Sequence, residues 1–556
     1  MFEVMKEIIV LLVGTIAWVS ATSCDVSSPP LWPKAYSVRG AISIPYTELY
    51  EPFQAWYDEK TGNSRIDYYD GMAKTFQLSS WPSKNGSMVK IVPVTTDDQM
   101  NRITCLKTEG EAAGEVTPQS ILPDLSDFKC VGKGVINGIQ AEQWSRVEQD
   151  EEKTSEYIMW IKWKNYSTGS KIAVPVYYEM KGYNSLLGSH YDHYYLSYQA
   201  YNPTAPAKSV WRIPSTQACT NLGLGVGDVA TFNPMKEFVH NYDHHINQAW
   251  DNFVKKHKRE YNEQSEHALR KYIFKQNHRF IHSHNRADHG YKLALNHLAD
   301  RTDGELKALR GRKITKGSNG GSPFPYKEEG IQTATQTLPI DFDWRLYGAV
   351  NPVKDQSICG SCWSFGTTGT IEGAYFVKTG KLISLSEQAL VDCSWGYGNN
   401  GCDGGLDYTS YEWIMKHGGI PLEEEYGPYL AMDGRCHSDK VKLVAPITGW
   451  VNVTAHNERA LKLSIFKHGP VSIAINASLK TFSFYSNGVY YDPKCKGGID
   501  DLDHAVLAVG YGWLNHKKYW LVKNSWSNHW GNDGYILMQI KNNNCGVMTS
   551  PTYVTM

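Results

Sequence analysis

The chain carries almost no net charge: 56 Lys and Arg nearly cancel 57 Asp and Glu, leaving a formal −1. A nucleic-acid-binding surface needs a basic excess, so this balance gives no support for such a partner. Long apolar runs are also missing, except at the start. Residues 7–19 are almost wholly apolar, Lys6 precedes them, and Val19-Ser20-Ala21 offers small residues for cleavage. Residues 1–21 therefore read as a secretory signal peptide, and the run is short for the alternative, an uncleaved membrane anchor. No later segment is apolar for long enough to span a bilayer. Glycine nearly disappears from one stretch, 238–310, where apolar residues recur at three and four and charges are frequent. That stretch is predicted to be helical.

Cysteine, by contrast, is plentiful. Eleven cysteines follow the signal segment, an odd number, and in an oxidising compartment the one left over is either intermolecular or reactive. Four Asn-X-Ser/Thr tripeptides, at Asn85, Asn165, Asn452 and Asn476, are possible glycosylation acceptors and fit a secreted chain.

The remaining organisation divides by composition. Residues 22–235 are rich in Tyr and Trp and alternate in runs such as Ala35–Ile44, Ser155–Trp163 and Val174–Tyr178, with turn formers such as Lys60-Thr61-Gly62-Asn63 between such runs. This predicts an antiparallel β-sheet domain, and no catalytic constellation lies in it. Residues 311–337 carry turn formers, polar residues and no periodicity, which predicts an exposed linker open to activation cleavage. Residues 338–556 hold seven of the eleven cysteines and read as a compact mixed domain.

The chemistry concentrates in that last region. In Gln356-Ser357-Ile358-Cys359-Gly360-Ser361-Cys362-Trp363, a glutamine amide precedes a cysteine by six residues, and the cysteine opens a predicted helix. The free N–H groups and partial positive charge of a helix start favour a thiolate, which is the nucleophilic form. Downstream, His504 stands ahead of the apolar run 505–512, and Asn524 ends the strand-like run from Tyr519. A cysteine nucleophile needs a base, and the base needs a third group to fix its ring. Cys359-Gly-Ser-Cys362 alone also reads as a thiol–disulfide or zinc pair, but no second metal-like pair lies nearby, and no cofactor or metal is expected.

These motifs resemble the papain-like cysteine proteases, closest to the cathepsin L branch. Cys359-Gly-Ser-Cys362-Trp363 is the signature around the nucleophile, His504 and Asn524 follow 142 and 162 positions later, and Pro339-x-x-x-Asp343-Trp344-Arg345 resembles the start of the mature enzyme. The resemblance implies an α+β fold: a two-lobed protease domain, one lobe helical and one a β-barrel, preceded by a helical pro-segment and the N-terminal sheet domain. It implies a thiolate–imidazolium pair of Cys362 and His504, a ring oriented by Asn524 and shielded by Trp526, and an oxyanion hole built from Gln356 and the Cys362 N–H. It implies disulfides Cys359–Cys402, Cys393–Cys436 and Cys495–Cys545, which leaves Cys362 free. The pairing of Cys24, Cys105, Cys130 and Cys219 stays open.

By the same resemblance, Leu406, Asp407, Ala474, Leu502 and Ser550 line the pocket for the second residue before the scissile bond. Small Ser550 leaves it deep enough for apolar or aromatic side chains. Asp407, where relatives often carry methionine, either admits basic residues or points to solvent. No insertion caps the cleft, so an endopeptidase is expected. Glu266, Arg270, Phe274, Asn277, Ile281 and Asn285 form one helical stripe and match the family's pro-segment pattern; Ala294-x-Asn296-x-Leu298-x-Asp300 resembles its companion motif with two departures. Residues 238–310 are thus expected to inhibit by running backwards through the cleft. Ten of the nineteen histidines lie in this segment, either on solvated helix faces or as groups whose protonation loosens it in acid. The whole arrangement is similar to the two-subunit cathepsin-type proteinases of insect haemocytes, in which a non-catalytic N-terminal fragment accompanies the catalytic chain, and the N-terminal region resembles curved-sheet lipoprotein carriers. The expected partners are protein and peptide substrates and the chain's own pro-segment. The location implied is the secretory pathway: lysosome, secretory granule or outside the cell. The competing function is a surface- or lipid-binding protein with an inactive protease domain.

Overall fold

The computed structural model describes residues 18–20, 24–25, 28–80, 84–95, 101–110, 115–165, 171–214, 218–221, 234–314 and 317–556. Most of the expected signal peptide lies outside these residues; Trp18–Ser20 form a short strand. The chain divides into two compact units, 1–288 and 289–556. The boundary falls inside the 238–310 segment rather than at its start.

The first unit is built on a 13-stranded sheet. The alternating runs do become strands: Ala35–Ile44, Lys153–Asn165 and Lys171–Asn184, with Leu49–Asp58 and Asn63–Tyr68 joined through the predicted Gly62 turn. Gly62 has φ +67, a left-handed turn conformation that favours glycine. Neighbouring strands pair antiparallel almost throughout, and a short parallel bridge attaches Thr220–Asn221 at one edge. One core combines Val38, Ile42, Phe53, Tyr68, Met159 and Leu196 of the strands with Ile121, Leu122, Leu125 and Phe128 of a loop and Met235, Phe238 and Val239 of helix α1 (Met235–His240). Cys24 pairs with Cys130 and Cys105 with Cys219, one of the three pairings that spacing alone allows.

Two further helices complete this unit, α2 (His244–Lys256) and α3 (Gln264–Arg286). The stripe positions Phe274, Asn277 and Ile281 are buried on α3, with Phe274 packed on Trp250 and Phe253 of α2 at 5.3 and 5.0 Å between ring centroids. Charged side chains are buried too. Arg279 forms a two-pronged ion pair with Asp192 at 2.7 and 3.0 Å and also reaches Glu237. Lys275 joins Asp192 at 3.0 Å, and Arg286 grips both oxygens of Glu51. The helix is therefore fastened to the sheet by charges that are nearly inaccessible to water. Nor do the histidines all lie on solvated faces: His278 and His284 are buried, and His278 packs beside His282 and His245.

The second unit carries helix α4 (Asp303–Ala308), whose Thr302 and Glu305 form a reciprocal capping box. The region expected to be an irregular linker is partly ordered. Ser322–Pro323 pair with Gly449–Asn452, and Glu328–Thr335 form helix α5 with Ile331 buried. Two acidic residues in the first turn and a single apolar anchor suffice for this short helix, and neither produces a periodicity long enough to read from sequence. Residues 311–313 are not exposed linker either; they lie in the cleft. The remainder of this unit has a helical part, led by α6 (Cys362–Thr379), α7 (Glu387–Cys393) and α8 (Asp407–His417), and a sheet part centred on His504–Leu514 and Lys517–Lys523. Disulfides join Cys359 to Cys402, Cys393 to Cys436 and Cys495 to Cys545, and Cys362 is free and buried.

Of the four glycosylation tripeptides, Asn165 is exposed at a strand end and Asn85 is half-buried. Asn452 lies in a strand with its amide donating to Asn319, and Asn476 is buried with its oxygen accepting from Ser478.

Candidate active site

Cys362 is the first residue of α6, so its thiol stands at the positive end of an 18-residue helix. His504 opens the strand opposite, and Asn524 follows the end of the next strand. The His504 Nε2 and the Asn524 Oδ1 are 2.8 Å apart, which leaves Nδ1 on the other side of the ring. Trp526 lies over this pair, 4.8 Å from the His504 ring between centroids, and is itself buried. The Ala505 N–H points at the Cys362 sulfur at 3.5 Å. Thiol, imidazole and amide are thus brought to one place, with the ring held by Asn524.

Gln356 is fully buried and shows a detail that sequence reasoning missed. Ser525 Oγ donates to its Oε1 at 2.7 Å, and the Gln356 N–H donates to the Ser525 carbonyl at 2.8 Å. Pinning the oxygen fixes which way the amide faces, so Nε2 points into the cleft. Tyr429 adds a second hold, donating to the Gln356 carbonyl at 3.0 Å while bonding Ser361. A serine between Asn524 and Trp526 and a tyrosine 67 positions past Cys362 carry no signal for this in sequence alone.

The cleft is filled by the chain itself. Gln356 Nε2 donates to the Leu309 carbonyl at 2.9 Å. Arg310 pairs with Asp503 at 2.9 Å. The Gly405 N–H donates to the Gly311 carbonyl at 2.9 Å, the Arg312 N–H to the Asp503 carbonyl at 3.0 Å, and the Lys313 N–H to the Gly405 carbonyl at 3.1 Å. Gly311 passes so close to Gly360 that a Cβ there would lie 1.7 Å from the Gly360 carbonyl oxygen. In a substrate the pocket residue precedes the carbonyl that sits at the glutamine amide. Here Arg312 follows Leu309, so this strand runs in the opposite sense. Upstream, Tyr291–Leu293 extend the sheet beside residues 485–488, and Asn296 donates to the Ser483 carbonyl at 2.8 Å.

Burial by this covering sets the electrostatics. It pushes the Cys362 thiol up to about 11, against the N–H groups of Ala505 and Gly311, and it pushes the His504 ring down to about 4, against the pull of Asn524. Both shifts favour the neutral forms.

Of the residues expected to line the pocket, Leu406, Ala474 and Leu502 are buried and Ser550 is half-buried. Asp407 does not point to solvent: its Oδ2 accepts from Ser472 Oγ at 3.0 Å and Thr552 Oγ1 at 2.7 Å, and its Oδ1 from the Tyr408 N–H at 2.9 Å.

Residues 338–555 match the papain family cysteine proteases and residues 250–306 match the cathepsin propeptide inhibitor domain. A cathepsin L-like peptidase of Aedes aegypti is 44% identical over 321 residues, covering 55% of this chain and 93% of that protein. The chain belongs to the papain family of cysteine proteases. Procathepsin L of Rattus norvegicus is 41% identical over 325 residues, covering 56% of this chain and 93% of its own. Among solved structures, the digestive procathepsin L2 proteinase of Tenebrio molitor superposes with a TM-score of 0.53 at 36% identity, covering 56% of this chain and all of that one. This member of the papain family is a cathepsin L-like cysteine protease with its propeptide, a zymogen. The expected fold class, enzyme class and pro-segment all agree with these relatives. Among the described residues no helix is long and apolar enough to cross a membrane.

Proposed function

We propose that this zymogen is a cysteine endopeptidase in which Cys362 attacks the substrate carbonyl and His504 takes its proton. The attack forms a tetrahedral oxyanion held by the Gln356 amide and the Cys362 N–H. Its collapse breaks the peptide C–N bond, the amine leaves with the proton from His504, and a thioester remains on Cys362. Water, deprotonated by His504, hydrolyses the thioester and frees the thiol. Asn524 holds the ring, and Trp526 keeps water from that hydrogen bond. The observation that carries this reading is the covered cleft: a backbone carbonyl, Leu309, already sits at the amide of Gln356 next to a buried thiol.

Activation on this reading is a cut in the exposed part of the 311–337 segment, after which residues 309–313 leave and water returns to Cys362 and His504. The N-terminal fragment is retained as a second subunit, because α3 stays fastened to the sheet while residues 291–296, on the same fragment, dock on the protease domain. The enzyme acts in the secretory pathway, in lysosomes or granules or outside the cell; five disulfides and the Asn165 tripeptide suit that route. Incubating the secreted protein at pH 5 tests the whole reading. It should yield cleavage within 311–337 and thiol-dependent hydrolysis of peptides, and Cys362→Ser should abolish both. An active Cys362→Ser enzyme overturns the assignment.

A further inference from the structure

Arg312 is the most unusual occupant of the cleft, a cation buried to 8% exposure. One guanidinium nitrogen donates to the Leu502 carbonyl at 3.2 Å and to the Lys313 carbonyl at 3.1 Å, and the backbone is bridged to Gly405. These anchors put the guanidinium in the pocket that Leu406, Asp407 and Leu502 line. Desolvation makes burying such a cation very costly unless a nearby acceptor or negative charge offsets it. Burial pulls the Arg312 guanidinium below its ordinary range, and the Asp407 carboxylate, two residues past the bridged Gly405, is the largest of the influences that oppose this.

Asp407 is held in place from inside the fold. Three hydrogen bonds converge on it, from Ser472, Thr552 and the Tyr408 N–H, and both hydroxyl-bearing residues, Ser472 and Thr552, are almost inaccessible to water. A carboxylate that merely met solvent would need none of these. The rest of the lining, Leu406 and Leu502, is apolar and suits the methylene stem of a long side chain, leaving only its head to meet the acid.

We propose that Asp407 makes this pocket select substrates with arginine or lysine at the second residue before the scissile bond, and that Arg312 is the chain's own stand-in for that residue, inserted in the reverse sense. This deepens the protease reading above and rests on it. The pocket still admits leucine, because its walls are apolar, but a basic head gains a charge-assisted interaction that a neutral one does not.

The test uses the self-activated enzyme and three acyl-X-Arg fluorogenic amides, with X as arginine, citrulline or leucine. Citrulline keeps the shape of arginine and removes its charge. The expected result is a kcat/KM for arginine at least about 10-fold above citrulline, the worth of one charge-assisted hydrogen bond. In Asp407→Asn the arginine-to-citrulline ratio should fall to near one. Equal turnover of the arginine and citrulline substrates by the unaltered enzyme overturns the proposal, and that comparison decides the matter even where Asp407→Asn does not fold. An unchanged ratio in a folded Asp407→Asn enzyme overturns it as well. No hydrolysis of any of the three, leucine included, would instead overturn the underlying protease reading.

Discussion

Cys362 and His504 carry opposite shifts from one cause, and that cause can be removed. With burial pushing the thiol up to about 11, the thiol form dominates at pH 7. The precursor should therefore react slowly with iodoacetamide, and removal of residues 309–313 should raise the alkylation rate at pH 7 by at least about 100-fold, because helix dipole and imidazole then act without the desolvation. A precursor alkylated as fast as the active enzyme would contradict a covered thiol. Gln356→Ala in the activated enzyme should lower kcat by about 10²–10³-fold with little change in KM, since its amide meets charge only in the transition state. Ser525→Ala should cost less, and Ser525→Thr should recover most of the loss, because the hydroxyl only aims the amide. Cys362, His504, Asn524 and Gln356 stand out in sequence because a thiol, an imidazole and amides are chemically distinctive groups set in recognisable motifs. Ser525 and Tyr429 do not, since a hydroxyl that positions another side chain has no pattern of its own until the fold brings it 2.7 Å from the Gln356 oxygen, as it does for Ser525.

Helix α3 shows the same division one scale up. Its apolar stripe is legible, because 3.6-residue spacing dictates which side chains share a face. What it packs against is not, since Asp192 and Glu51 lie 87 and 235 positions from Arg279 and Arg286. Replacing Arg279 by Met strands the buried carboxylates of Asp192 and Glu237 without their guanidinium and should destabilise the precursor by about 3–5 kcal/mol in urea unfolding. This pair does not sense mild acid. The Asp192 carboxyl is held well below the usual range by Arg279 and Lys275 despite its burial, so its contribution persists at pH 5 and fades only as pH falls below about 4. His278 behaves oppositely. Burial holds its imidazole well below 6.5, helped by His282, His245, Arg279 and Arg286 around it. A depressed base is neutral in the folded state, so stability is full above about 6.5 and declines as pH falls, by up to about 2 kcal/mol at pH 5. His278→Gln should flatten that decline between pH 7 and 5, read from urea midpoints and from the rate of self-cleavage. An unaltered pH profile in His278→Gln would assign acid release to other groups.

At the scale of the molecule, the two compact units do not coincide with the composition boundaries. Texture in the sequence changes near 235, where strands give way to helices, yet the first unit continues to 288 because α2 and α3 bury their charged and aromatic residues within it. Composition reports local structure; a unit is defined by long-range burial, and only the fold reveals that. The consequence is a specific fragment. The pro-segment is not one inhibitory piece: its helical half belongs with the sheet, and its extended half, from Tyr291 through Lys313, belongs with the protease domain. Cleavage in the 311–337 segment should then release no free pro-peptide. Mass analysis after activation at pH 5 should find an N-terminal fragment ending beyond residue 310, and limited trypsin digestion of that fragment at neutral pH should trim it toward Arg286 and stop, with α3 protected. A stable core ending near 235, with α2 and α3 digested away, would mean that the buried ion pairs of Arg279 and Arg286 do not hold the helix. In that case the N-terminal domain would be a separate passenger, and the inhibitor would leave without it.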